Sequence, residues 1–408
     1  MWMRASKALF HTFFVKEVDT MGLLENEFIK FMGRFDSCPF AVVLNGEEHI
    51  IGEGEPDFTV IFHKIPKVSD LMTSTSITLG EAYMNGDLEI KGDLYETLNM
   101  FMGQMGKFST DKKKLKHIIF PSNSKKNQRK EVSSHYDIGN DFYKLWLDET
   151  LSYSCGYFKN EEDSLYEAQC NKVDRILEKL DLKEGMSLCD IGCGWGFLLI
   201  RAAKKYKIHG VGITLSSEQA KKFQERIEQE HLEDCLEVKL LDYRDLPKSG
   251  MTFDRVVSVG MLEHVGRENY EQYMKCVKSV LAPGGLFLLH YISALQEHPG
   301  DAWVKKYIFP GGVVPSLREI INIAGDMRFY TLDVESLRRH YNRTLLCWNR
   351  NFQEHREEVA AMFDEKFVRM WELYLCSCAA TFNNGIIDLH QILFSNDVNN
   401  ELPMTRWD

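Results

Sequence analysis

The stretch LCDIGCGWG, residues 188–196, places Asp190 near the end of an apolar run and follows it with Gly192, Gly194 and Gly196. An acidic residue and three glycines between a strand and a helix start make a ligand loop: glycine lets the backbone turn tightly and approach a bound molecule. Farther on, Glu263 in MLEHVG and His290 in LLHYIS each follow or end another apolar run. Ten cysteines occur with no CxxC pair and no zinc-type histidine spacing, so no metal site is expected and the thiols fit a reducing cytosol.

The elements that must position these residues alternate. From Ser187 the chain reads SLCDI, a helix to about Tyr206, IHGVGIT, a helix over Ser217 to Glu230, LEVKLLD, FDRVVSVG, a helix over Tyr270 to Leu281, and GLFLLHYI. Such alternation predicts βαβ units and a parallel sheet wrapped by helices, with the ligand at the carboxyl ends of the strands. Asp190, Glu263 and His290 all fall at that edge. Before this region, Asn45-Gly46 between two apolar runs predicts a hairpin, FTVIFH a further strand, and Thr78 to Met84 and Leu94 to Met102 two helices. The reading is therefore a small α+β unit over 1–106, a basic linker over 107–130, and a catalytic domain over 131–408.

Composition narrows the partners. With 408 residues and a net charge of −11, the average surface is acidic, and a general nucleic-acid binder is excluded. No uncharged apolar run approaches the ~20 residues of a bilayer span, so membrane contact is expected to be peripheral. The linker is the local exception: Lys112, Lys113, Lys114 and Lys116 lie close to the triplet Ile118 to Phe120. This segment is either a solvated tether or a contact with anionic lipid head groups.

Two levels of resemblance follow. The GxGxG loop after Asp190 and the Leu281-Ala-Pro-Gly-Gly285 turn, in that order, resemble the class I S-adenosylmethionine-dependent methyltransferases. That likeness implies a Rossmann-like, mostly parallel seven-stranded sheet with S-adenosylmethionine above Asp190, Gly192, Gly194 and Gly196. Thr214 and Gln219 would then serve the ribose, and Asp242 and Tyr243 the adenine.

The series HYDIGNDFY, YSCGYF, DIGCGWG, GITLSSEQ, MLEHVG, KYIFPGG, HYNRTL and CSCAATF is similar to the cyclopropane-fatty-acyl-phospholipid synthases, within the mycolic acid cyclopropane synthase superfamily. This resemblance implies transfer of a methylene group from S-adenosylmethionine to a cis double bond of a phospholipid acyl chain. It implies Tyr153 and Ser154 at the cofactor, and a bicarbonate ion held by Cys155 (mainly through its backbone), Glu263, His290, Tyr341 and the backbone of Ile292. It further implies a helical cap carrying Tyr341, an N-terminal sterol-carrier-like unit for lipid binding or dimerisation, a homodimer, and a cytoplasmic enzyme associated peripherally with the inner face of the plasma membrane. Tyr291 and Ser293 depart from the family pattern around Ile292. A C-methyltransferase making branched chains, an N-methyltransferase of small amines and a non-catalytic lipid-binding protein stand as alternatives.

Overall fold

The protein was analysed as a computed structural model, which describes residues 28–104 and 139–405 except 298 and 299, together with 22, 25 and 26. The chain divides into two compact units, Met1–Asp111 and Lys112–Asp408. The basic residues Lys112, Lys113, Lys114 and Lys116 lie outside the described residues.

In the first unit, β1 (Phe40–Leu44) and β2 (Glu47–Ile51) form the hairpin that Asn45-Gly46 predicts. Both turn residues have positive φ, +52° and +85°, the primed geometry that matches strand twist. β3 (Thr59–Phe62) runs parallel to β1. Helices α1 (Val68–Thr73) and α2 (Thr75–Asn85) follow, then β4 (Leu88–Lys91), antiparallel to β3, and α3 (Leu94–Gly103). β4 is four residues long, too short for its alternation to stand out in the sequence. The strand order is β2-β1-β3-β4. Phe101 of α3 meets Phe40 and Phe58 edge-on, at 5.5 and 5.8 Å, and this aromatic contact closes the small core.

The second unit begins its described part with α4 (Asn140–Trp146) and α5 (Leu165–Lys179). There follow β5 (Ser187–Ile191), α6 (Phe197–Tyr206), β6 (His209–Thr214), α7 (Ser217–Gln229), β7 (Leu236–Leu240), β8 (Phe253–Val259), α8 (Tyr270–Val280) and β9 (Leu281–Ser293). The chain ends with α9 (Ala302–Tyr307), α10 (Leu317–Asp326), β10 (Phe329–Ser336), α11 (Arg338–Glu354), α12 (Arg356–Met362), α13 (Glu365–Asn383) and β11 (Asp388–Asn396).

The seven strands are ordered β10-β11-β9-β8-β5-β6-β7, all parallel except β11, which runs antiparallel to both neighbours. Their sequences read as continuous apolar runs because both faces are covered. On one face Cys189, Ile191, Phe287 and Leu289 pack with α8; on the other Leu188, Leu286 and Leu288 pack with α6 and α7. The Leu281–Gly285 stretch is a bulge at the start of β9, not a loop before it: pairing with β8 jumps from Phe253↔Leu281 to Arg255↔Leu286. Among the described residues, no helix is long and apolar enough to cross a membrane.

Candidate active site

The glycine loop is shaped by backbone contacts close in sequence. Gly192 and Cys193 both donate their N–H groups to the Ile213 carbonyl, at 2.9 and 3.1 Å, which pins the loop to β6. Gly192, Gly194 and Gly196 have φ of +85°, +54° and +82°, a region glycine occupies without the Cβ penalty. At the end of β6, Thr214 Oγ1 donates to Gln219 Oε1 at 2.9 Å and accepts the Ser216 N–H at 3.1 Å; Ser216 in turn caps α7. A cavity of about 1130 Å3, counting its open mouth, lies at these strand ends.

Tyr153, Ser154, Asp190, Gly192, Gly194, Thr214, Gln219 and Tyr243 of the sequence-derived set line this cavity together. Two members of that set do not. Gly196 caps α6 from below, and a Cβ there would come within 1.9 Å of the Phe223 ring, so its glycine serves packing. Asp242 turns to Arg244, which donates to both carboxylate oxygens at 2.8 and 2.7 Å, while the Arg244 N–H meets Oδ1 at 3.0 Å. That forked, charge-assisted pair occupies the carboxylate expected at the adenine.

The second cluster draws on residues far apart in sequence. Glu263 sits in a 3₁₀ turn after β8, and its Oε1 accepts the Ile292 N–H at 2.7 Å. The Ile292 amide expected to face an ion is thus engaged by Glu263. Glu263 Oε2 is buried with no partner among the described residues, and burial pushes the carboxyl up to about 7. His290, two residues before Ile292 on the same face of β9, is fully buried, and burial holds it well below its ordinary value, neutral. Its Nδ1 meets Gln391 Nε2 at 3.2 Å across the β9/β11 ladder, where the two residues are direct partners. With the Gln391 amide donating to Nδ1, the imidazole proton stands on Nε2, which has no partner among the described residues.

Cys155 is fully buried and its thiol is raised far above its ordinary value by that burial, which rules out a thiolate nucleophile. The segment around it is sewn to α11. Gly156 N–H donates to Thr344 Oγ1 at 2.9 Å, and Phe158 N–H to His340 Nδ1 at 3.1 Å. These bonds bring Cys155 beside the helix that carries Tyr341, itself buried and with its phenol raised well above the usual range by desolvation. The departures at Tyr291 and Ser293 fall on the opposite face of β9 from His290; Ser293 Oγ contacts His390 Nδ1 at 2.7 Å.

An aromatic wall links the clusters. Trp146 meets Tyr153 at 5.2 Å, Trp348 at 5.6 Å and Trp371 at 5.5 Å, and Tyr153 meets Trp348 at 5.4 Å. Tyr153 belongs both to this wall and to the cofactor cavity, and its hydroxyl lies 2.7 Å from that of Tyr374 on α13. His264 also lines the cavity; burial lowers it to about 4, which suits a neutral wall residue.

Sequence reasoning missed three contributors. Lys172 and Gln169 on α5 hold the cavity segment: Lys172 Nζ donates to Ser154 Oγ at 3.0 Å, and Gln169 Nε2 to the Ser154 carbonyl at 2.8 Å. Gln391 is the third. The available signal was a polar residue inside an apolar stripe, Lys172 between Ala168 and Ile176 on α5 and Gln391 within LHQILF.

The sheet order, the glycine loop and the cavity at the strand ends are those of a class I S-adenosylmethionine-dependent methyltransferase. A solved mycolic acid cyclopropane synthase, CmaA1 complexed with SAH and CTAB, shares this fold at a TM-score of 0.62 and 34% identity, covering 65% of this chain and 98% of its own. The family model for mycolic acid cyclopropane synthetase matches residues 123–392, and the chain belongs to that family. A domain of unknown function matches residues 28–113. The cyclopropane-fatty-acyl-phospholipid synthase of Escherichia coli K12 is 39% identical over 344 residues, 81% of this chain and 86% of that protein. A probable fatty acid methyltransferase of Pseudomonas putida is 38% identical over 362 residues, 86% of this chain and 91% of that protein.

Proposed function

We propose that the chain transfers a methylene group from S-adenosylmethionine to the cis double bond of an unsaturated phospholipid acyl chain, forming a cyclopropane ring. The observation that carries this reading is the pairing of a cofactor cavity with a buried, partnerless Glu263 Oε2 and His290 Nε2. When bound, S-adenosylmethionine supplies an electrophilic methyl group, whose addition to an isolated alkene leaves positive charge on the acyl chain. The ring of Tyr153, which lines the cavity, would offer a π face to such charge, worth about 2 kcal/mol when desolvated, and Trp146 and Trp348 pack behind it and help keep out the water that would quench the charge.

Ring closure then needs a proton removed from the transferred methyl. A bicarbonate ion would supply a small base there: His290 Nε2–H would donate to one of its oxygens, and Glu263 Oε2 would accept its hydroxyl. Tyr341 and Cys155 would border that ion. A C-methyltransferase outcome differs only in how the positive charge is discharged, and the Glu263 and His290 pair supports ring closure.

The same reading places the enzyme on the cytoplasmic side, docked peripherally on the inner face of the plasma membrane as a homodimer, with Lys112, Lys113, Lys114 and Lys116 meeting anionic head groups and the 1–106 unit assisting. Replacing those lysines by glutamine is expected to weaken sedimentation with anionic vesicles. The activity itself is tested by mass spectrometry of cis-unsaturated phospholipid vesicles incubated with the protein and S-adenosylmethionine. A gain of one CH2 that resists hydrogenation supports cyclopropanation. The same gain without a ring means methyl branching.

A further inference from the structure

Lys172 is a charged residue in a place that excludes charge. It lies on the inner face of α5, is 3% exposed, and lines the cofactor cavity together with Asp190, Ser154 and Gly192. An ammonium has three donors, and the one hydrogen bond described for this one goes to Ser154 Oγ at 3.0 Å. Asp190 is equally buried, and its Oδ1 has no partner among the described residues. The two opposite charges share one cavity, yet no ion pair joins them among the described residues. Burying a charge with so few partners is unfavourable unless a counter-charge arrives. A cation and a carboxylate held apart in one pocket are complementary to a ligand that carries both charges. The electrostatics agree: desolvation drags the Lys172 ammonium down to about 8, while the carboxylates of Asp148 and Asp190 pull it back up.

We propose that Lys172 receives the α-carboxylate of the cofactor's amino-acid end, with Asp190 facing the adjacent α-ammonium group. This assignment rests on the S-adenosylmethionine reading of the cavity. It gives α5 a function in the site: the helix anchors Ser152 and Ser154 through Gln169 and delivers the cation that sets how deep the sulfonium end sits. A charge-assisted hydrogen bond of this kind is lost as tenfold or more in affinity.

The test is titration calorimetry on the full chain with two ligands, S-adenosylhomocysteine and 5′-methylthioadenosine, the second of which lacks the amino-acid end. The Lys172→Met variant is expected to weaken S-adenosylhomocysteine at least tenfold and to leave 5′-methylthioadenosine within twofold; Lys172→Arg is expected to recover part of the loss. Retained S-adenosylhomocysteine affinity, or a parallel loss for both ligands, overturns the proposal. The wild-type chain provides a version independent of folding of the variant. There, decarboxylated S-adenosylhomocysteine is expected to bind at least tenfold more weakly than the parent, and equal binding overturns the assignment. Binding of neither S-adenosylhomocysteine nor 5′-methylthioadenosine to the wild type overturns the cofactor reading and this proposal with it.

Discussion

At the glycine-loop end of the site, the N–H groups of Gly192 and Cys193 meet the Ile213 carbonyl, and Thr214, Ser216 and Gln219 bond one another, so the loop itself is fixed by local hydrogen bonds even though the Asp190 Oδ1 beside it has no partner among the described residues. At the other end, Glu263, His290 and Gln391 each keep a buried polar atom without a partner among the described residues. The first end is shaped before any ligand arrives. The second is incomplete as a protein structure, and its unpaired atoms mark where a small polar group belongs. Shape and reactivity are therefore carried by different residues, and substitutions can separate them.

The largest effect is expected within the loop itself. Gly196→Ala places a methyl 1.9 Å from Phe223 at a φ of +82°, and the variant is expected to lose more than about 4 kcal/mol in urea denaturation or fail to fold. Gly194→Ala has open space around its Cβ, so it is expected to cost about 1 kcal/mol of backbone strain and remain folded. Equal losses would show that the Phe223 contact is not what sets Gly196 apart from Gly194.

At the reactive end, Glu263→Gln is expected to reduce product formation about 100- to 1000-fold, measured by lipid mass spectrometry, with S-adenosylhomocysteine affinity unchanged by calorimetry. A matching loss of affinity would erase the distinction between the two ends. In the wild type, the rate should rise with pH through about 7 as Glu263 ionises, and that limb should vanish in the variant. Gln391→Leu releases His290 Nδ1 and is expected to cost about tenfold in rate with cofactor affinity intact.

Stability should follow the same carboxyls. Glu263 and Asp190 both rise to about 7 in the fold, from 4.5 and 3.8, so their contribution is fully present below about pH 4 and is lost as pH climbs through 7. Thermal melts of the ligand-free chain are expected to fall between about pH 4 and 7, and Asp190→Asn should flatten that fall. The smallest effect is expected for Thr214→Ala, a twofold to tenfold weakening of the cofactor with the lipid step unaffected.

Much of the first end was legible in the sequence because its residues end or follow strands in order: Asp190 near the end of β5 with the glycines after it, Thr214 closing β6 with Gln219 beyond, and Tyr243 after β7. Asp242 shares its carboxylate with an arginine two residues on, and spacing alone does not show which partner a carboxylate takes. Glu263 and His290 stood out as polar residues at strand ends. Gln391 did not, since its role comes from a strand pairing across about 100 residues of sequence. Lys172 lies on α5, which no motif marks, and its place on the inner face shows only in the fold. The Leu281–Gly285 stretch reads as a turn in the sequence and is a bulge within β9, because glycine and proline signal both.

The position of β11 has a consequence for how the molecule is made. The sheet places this late strand between β9 and β10, so β9 has an open edge and His290 has no Gln391 until residues 388–396 are in place. A chain still emerging from the ribosome can shape its nucleotide loop early but reaches a competent imidazole only near the end of synthesis. A copy cut before Asp388 is left with an unpaired, apolar strand edge, which other chains can join and which proteolytic surveillance can recognise.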